Sequence, residues 1–331
     1  MESGLSPDKN VSMKDAFMAS PGPKSAKEAM VLMLKGVCMG AADTVPGVSG
    51  GTIALITGIY EQLLAAIRSV DATVISRVVR LDIKGALTRL HTRFLLFLFI
   101  GIALAVISLA GIMSHLLTAH PIPTWSLFFG LILASTWAVG RKVNYRSAKT
   151  ISMFFAGAIF AFLLVGLVPA ATPETFPFIF ISGMLAICAM ILPGLSGAFI
   201  LLILGKYEFI VATLKNPFLP HNMIIIIVFA AGCAAGLAGF SRLLKYLLER
   251  FRPVVMAFLT GLMLGSLRRI WPWKEEVMIS EIGEKILVLK ERNILPEPGS
   301  ELILAISMML VGAAAVICLE WVSSSRKNLP A

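Results

Sequence analysis

Two short stretches of this chain carry residue types that can hold an anion inside an apolar run. The first contains Pro46, Gly47, Ser49, Gly50, Gly51 and Thr52. The second contains Pro193, Gly194, Ser196 and Gly197, at a constant offset of 147 residues. Proline and glycine break a helix where they stand. The glycines let the backbone turn with N–H groups free, and Ser49, Thr52 or Ser196 can cap the helix that follows. The N-terminus of that helix attracts negative charge through its dipole and its free donors. Two such ends facing each other make a cradle for one phosphate or carboxylate. The competing reading is a kink that lets small residues pack closely. Ala42–Glu61 and Ala189–Glu208 share eleven identities in twenty ungapped positions, and that repetition favours a site.

Ionisable and aromatic residues flank both breaks. Asp43 lies three residues before Pro46, where a proton relay, an ion contact or a cap are all open, since intramembrane acids are costly. Glu61 and Glu208 follow Tyr60 and Tyr207 and fall near an interface, as coupling or gating groups or as surface acids. The tyrosines also fit an interfacial aromatic belt. Lys206 replaces Ile59 of the first copy; it either draws in an anionic headgroup or snorkels. Coupling to a proton gradient through one of these acids, or to sodium through unwound carbonyls, is open.

These breaks sit in a chain of 331 residues that is 57% hydrophobic and 15% charged. That balance indicates an all-α polytopic membrane protein, not a soluble domain. The net charge of +10 does not imply nucleic acid, because the basic residues lie between apolar runs, as the positive-inside rule expects. Cys38, Cys188, Cys233 and Cys318 lie in apolar segments without metal spacing and read as small buried hydrophobes. The polar start has no apolar core of a cleavable signal peptide. No nucleotide-binding loop and no phosphatase constellation of His and Arg is present, so no cofactor and no enzyme activity is expected.

Loop charge sets the topology. Residues 1–27 form a cytoplasmic tail. Residues 28–149 hold a broken hairpin (29–67), a basic cytoplasmic segment (68–93) and two spans, Phe94–Leu117 and Thr124–Gly140. Residues 150–169 are the third span. The second half covers 178–322: a hairpin at Phe178–Leu214, then spans Asn222–Ser241, Val254–Leu267 and Glu301–Val322. Arg242, Lys245, Arg250 and Arg252 mark a cytoplasmic turn. Residues 274–300 form a periplasmic segment with a small helix expected over Ser280–Arg292. Residues 323–331 close a cytoplasmic C-terminus. Each hairpin arm, at about 16–17 residues, is marginal for a ~30 Å hydrocarbon core that takes about 20; this predicts re-entrant hairpins. Three spans separate them, an odd number, so the halves have inverted topology. Further matches at offset 131, such as Gly101/Gly232 and Gly130/Gly261, extend the repeat. Inverted repeats with broken helices meeting at mid-membrane are the plan of secondary transporters.

At these motifs the chain resembles a bacterial family of polyprenyl-phosphate transporters. The resemblance rests on Gly40–Thr52 (GAADTVPGVSGGT) with Gly58–Glu61 (GIYE), and on Met190–Gly197 (MILPGLSG) with Leu204–Tyr207 (LGKY). It runs from about residue 28 to 322. It implies a flippase that returns undecaprenyl phosphate, a lipid carrier, from the outer to the inner leaflet of the bacterial inner membrane for reuse in cell-envelope synthesis. The phosphate headgroup would be read by the tips Pro46–Thr52 and Pro193–Gly197. Residue chemistry by itself supports an anion transporter and does not name a lipid. A secondary transporter or channel for a small soluble anion therefore stays open.

Overall fold

The computed structural model describes residues 12–45, 47–170, 172–282 and 285–325. Pro46 and the basic pair Arg326 and Lys327 lie outside them. The chain opens with α1 (Met13–Ala19) and α2 (Ala26–Asp43). Ser25 caps α2 by accepting from the Glu28 N–H. After the first break come α3 (Gly50–Ile56) and α4 (Tyr60–Arg68). The basic segment folds into α5 (Ala72–Val79) and α6 (Ile83–Arg89). Then follow α7 (Thr92–Ala119), α8 (Pro121–Gly140) and α9 (Ala148–Leu164). The second half repeats the order with α10 (Phe176–Ile191), α11 (Gly197–Ile203), α12 (Tyr207–Lys215) and α13 (Pro220–Ser266). Prolines in the first turns of α8, α10 and α13 lack the N–H that a helix start leaves unpaired anyway. Strands β1 (Lys274–Ile282) and β2 (Lys285–Asn293) precede α14 (Ser300–Ser325).

Among the described residues, four helices, α7, α8, α13 and α14, are long and apolar enough to cross a membrane, and α9 and α10 are shorter apolar helices. Ile107 on α7 is 84% exposed and Ile303 on α14 is 69% exposed, surfaces suited to lipid rather than water. The membrane-embedded part is all-α.

The hairpins differ in one respect from expectation. The incoming arm α2 has 18 residues, but the return arm α3 has only 7. The chain then bends by 118° into α4, and α11 bends by 110° into α12. The cause is a second glycine in each copy. Gly58 and Gly205 have φ of +73° and +62°, as Gly47 and Gly194 at the first breaks have +88° and +83°. L-residues with side chains rarely occupy that region, so each hairpin breaks twice. The repeated Gly-x-Tyr-Glu is thus a bend.

Three further expectations are corrected. The small helix over Ser280–Arg292 is a strand pair, with Lys274 opposite Asn293 and Glu275 opposite Arg292. Val277, Ile279, Ile286 and Val288 favour strands, and this outweighs the helix preference of the interspersed Glu and Lys. The basic turn at 242–252 is helical. One element runs from Pro220 to Ser266, kinked at Phe251 (φ −132°, ψ 37°), because Pro253 removes an N–H and crowds the preceding turn. Arg93 is not a loop charge. It is 7% exposed and donates to the carbonyls of Ser20 and Pro23, which pins the N-terminal segment to α7. Of the cysteines, Cys318 is exposed and the other three are half-buried.

The two halves make matching contacts. α2 packs on α7 as α10 packs on α13; α8 packs on α14 as α9 packs on α13. The close approaches correspond residue by residue. Gly36 faces the Leu98 carbonyl and Gly101 the Met33 carbonyl, as Gly183 faces Phe229 and Gly232 faces Phe180. Gly130 abuts the Met309 carbonyl on α14, as Gly261 abuts Phe154 on α9. Backbone contact of this kind needs residues without a side chain.

Gly130→Ala is expected to force α8 from α14 and to cost about 1–3 kcal/mol, as overpacking does. Gly111, where an added Cβ would meet nothing within 4 Å, serves as the control. Thermal melting in detergent should fall for Gly130→Ala and stay level for Gly111→Ala.

Candidate functional site

At the first break, α2 ends at Asp43. The Thr44 hydroxyl donates to the Ala41 carbonyl (2.7 Å), and Gly47 reverses the chain. Ser49 is the N-cap of α3, its Oγ accepting from the Gly51 N–H (3.1 Å). The Gly50 N–H donates to Asp43 Oδ1 (2.7 Å). A Cβ at position 50 would lie 2.5 Å from the Asp43 carboxylate, so only glycine admits this contact. The negative charge that the start of α3 favours is therefore supplied in this conformation by the chain's own Asp43. Of the roles open to this residue from sequence, the geometry shows the cap.

The second break is built alike and capped differently. Ser196 is the N-cap of α11, with no side-chain hydrogen bond to that helix. The two tips touch. Ser49 Oγ donates to the Leu192 carbonyl (3.3 Å), and the Tyr60 hydroxyl donates to the Ile191 carbonyl (3.1 Å). The Gly194 N–H donates to Thr52 Oγ1 (2.9 Å). Carbonyls at the end of α10 have no partner within their own helix. Hydroxyls from the other half supply partners. Ser49, Thr52 and Tyr60 are each at most 2% exposed, so these bonds lie in the interior. A Cβ on Gly51 would press on the Ile191 carbonyl, which explains glycine there.

The other flanking residues separate. Tyr60 is a tip residue, not a belt aromatic, whereas its counterpart Tyr207 is 41% exposed. The sequence match hid this, because burial of Tyr60 depends on the opposite half. Lys206 does not snorkel. It is 1% exposed, its Nζ donates to the Thr172 carbonyl (2.6 Å), and it lies over the Phe209 ring. Thr172 in turn donates to the Leu204 carbonyl, so the linker before α10 folds over the ammonium. Glu61 is exposed and pairs with Arg252 (2.7 Å) beside the α13 kink. Glu208 is exposed and makes no ion pair among the described residues.

Sequence reasoning missed the residues next to the tips. Arg269 follows α13 in a turn closed by its N–H on the Ser266 carbonyl. A Cβ on Gly47 would lie 2.8 Å from Arg269 Cγ, so the first tip rests on the arginine stem. Its guanidinium lies 5.1 Å from the Phe199 ring centre on α11 and donates to Glu291 Oε2 (2.9 Å). Lys274 Nζ reaches the same oxygen (3.0 Å). Burial pushes the Lys274 amine down to about 8, and the Arg269 charge acts in the same direction, while Glu291 opposes both. For Glu291, burial acts upward, but Arg269 and Lys274 outweigh it and hold the carboxyl below its usual range. The available signal was charge placement. Arg268 and Arg269 follow the end of α13, whereas the linkers over residues 120–123 and 169–177 carry no Lys or Arg.

Bent, doubly broken hairpins that meet inside a bundle of apolar helices define a multi-pass membrane protein of the broken-helix type. The chain belongs to the undecaprenyl phosphate translocase-like family, whose model matches residues 39–286. It is 43% identical over 296 residues to a polyprenyl-phosphate transporter of Vibrio cholerae, covering 87% of this chain and 94% of that one. It is 33% identical over 258 residues to a polyprenyl-phosphate transporter of Staphylococcus aureus, covering 72% and 85%. No solved structure matches.

Two outcomes follow from the geometry. Asp43→Ala strips the acceptor from the Gly50 N–H and should cost about 0.5–2 kcal/mol, the usual range for a lost cap. Asp43→Asn keeps an acceptor and should retain most of that stability in the same melting assay. Lys274 should react with an amine reagent half-maximally near pH 8, below ordinary lysines, and Glu291→Gln should move that midpoint lower. Because the folded amine releases its proton early, stability should rise with pH from about 8 toward the ordinary lysine value.

Proposed function

We propose that this chain moves undecaprenyl phosphate, a polyprenyl-phosphate carrier, from the outer to the inner leaflet of the bacterial inner membrane for reuse in cell-envelope synthesis. Its phosphate is read where the two hairpin tips meet. The observation that carries the reading is the direct bonding of Ser49, Thr52 and Tyr60 to the opposite tip. A headgroup bound there contacts both halves at once, so a movement of one half against the other changes its surroundings. In this reading the halves are inverted repeats with both termini cytoplasmic, supported by the loop charges and by the interchange of helix contacts between halves. The relatives' names supply the lipid.

A groove of about 500 Å³ supports a substrate with a hydrocarbon chain. Leu133, Trp137, Phe154 and Leu264 line it on the outer face of the bundle, and Arg141 stands at one end. Leu264 belongs to the α13 segment whose Leu262–Met263 backbone presses on Gly194. A chain lying in the groove is therefore separated from the second tip by one helix.

The test is surface-exposed undecaprenyl phosphate in cells that rely on this carrier alone. Depletion should raise it, and the intact chain should restore it. Ser49→Ala and Tyr60→Phe should fold yet restore it incompletely, with rates lower by about 2–10-fold for a lost hydrogen bond of ~0.5–1.5 kcal/mol. Surface lipid that stays constant on depletion sinks the proposal. Uptake of labelled phosphate into proteoliposomes without added lipid carrier would favour a soluble anion instead.

A further inference from the structure

We propose that Arg268, Arg269 and Lys274 form a binding site for a phosphate monoester beside the second hairpin tip, with Glu291 as its built-in competitor. The cations share an open cavity with the segment that follows α9 (residues 165–169), with Phe199 and Leu202 of α11, and with Glu291 and Asn293. Among the described residues, three cations face one carboxylate there. A phosphate monoester carries between one and two negative charges near neutral pH, which matches the excess. Half-buried charge without a partner is costly, so the excess of cations favours a further anion. Glu291 serves Arg269 and Lys274 together through one oxygen, Oε2. Arg268 makes no ion pair among the described residues; its Nη1 donates to the Phe162 carbonyl and its guanidinium lies 4.4 Å from the Phe162 ring centre.

The donors are also of the right kind. The buried Nε of Arg269 finds no acceptor among the described residues. Its guanidinium lies over Phe199, 5.1 Å from the ring centre, while its stem supports Gly47. A planar fork fixed in this way suits the paired oxygens of a phosphate better than a flexible ammonium does. An anion that displaces Glu291 lands on a side chain that touches Gly47 of the first tip and Phe199 of α11. On the loop charges this cavity opens toward the outer leaflet, so it would receive a headgroup before the tips do. The lipid source rests on the function proposed above; the anion chemistry does not.

The experiment is equilibrium binding to purified protein in nanodiscs, with inorganic phosphate and farnesyl phosphate as separate probes and melting curves to confirm folding. Arg269→Gln and Arg268→Gln should each weaken binding of farnesyl phosphate at least tenfold. Glu291→Gln should tighten it severalfold, because a competitor is removed. A Glu291→Gln protein that folds and binds as weakly as Arg269→Gln would overturn the site and make the network structural. So would unchanged affinity in all three variants. Farnesyl phosphate binding well above inorganic phosphate, with the same ranking of variants, assigns the site to a lipid headgroup; equal affinities assign it to free phosphate. Normal binding by Arg269→Gln with lost transport removes the site and leaves the transport reading intact. Binding that follows the predicted ranking, in a protein whose depletion leaves surface lipid unchanged, keeps the site and removes that reading.

Discussion

Every broken helix inside an apolar phase must find partners for the backbone groups it frees, and this structure is arranged around that demand. Four breaks occur, two in each hairpin, each at a glycine with positive φ. At the first break the freed N–H groups of α3 go to Asp43 and Ser49. At the second, carbonyls ending α10 take hydroxyls from the opposite half. Remote partners also serve the outer bends. Lys35 donates to the Thr57 carbonyl (2.7 Å), and Thr172 donates to Leu204. The first hairpin finds its partners within its own half, whereas the carbonyls that end α10 take theirs from the other half. Three hydrogen bonds join the two tips directly.

Matching scaffolds carry unlike tips. The glycines that bring helix backbones together recur in both halves, so the frames are alike. Thr52 accepts a bond from Gly194, whereas Phe199 at the equivalent place stacks with Arg269. Asp43 caps one helix, and Met190 stands where a second carboxylate would be. Tyr60 is buried and Tyr207 is not. One tip is thus polar and self-satisfied, and the other is apolar and backed by cations. That difference suits a path on which a charged group is treated differently from its two ends.

The charged groups behind the second tip are gathered by three separate elements. The turn after α13 brings Arg268 and Arg269, β1 brings Lys274, and β2 brings Glu291. The β-hairpin is therefore more than a connection between helices. It places a carboxylate where Arg269 and Lys274 converge, and its Asn293 side chain holds the Arg268 carbonyl (2.9 Å). The nearly buried Glu320 does likewise, one acid pairing with both Arg141 and Lys142.

Much of this was legible in the sequence, because apolar length and loop charge obey local rules. Hydrophobic runs marked the spans, basic residues marked their ends, and two Pro-Gly-x-Ser-Gly copies marked the breaks. The matched glycines at 58 and 205 were visible as identities, but their φ was not, so the return arms read as longer than they are. The strand pair was misread because its Glu and Lys suit a helix as well as an exposed strand. What no local pattern contained was company. Whether Tyr60 lies at an interface or under the opposite tip, whether Lys206 reaches water or a carbonyl, and which acid faces Arg269 all depend on segments far apart in the chain. Sequence determined where the helices break, since a break is a property of the residues at that point. Tertiary structure decided what fills each break, since the partner of a freed backbone group arrives from outside the break, and at the second tip from the other half of the molecule.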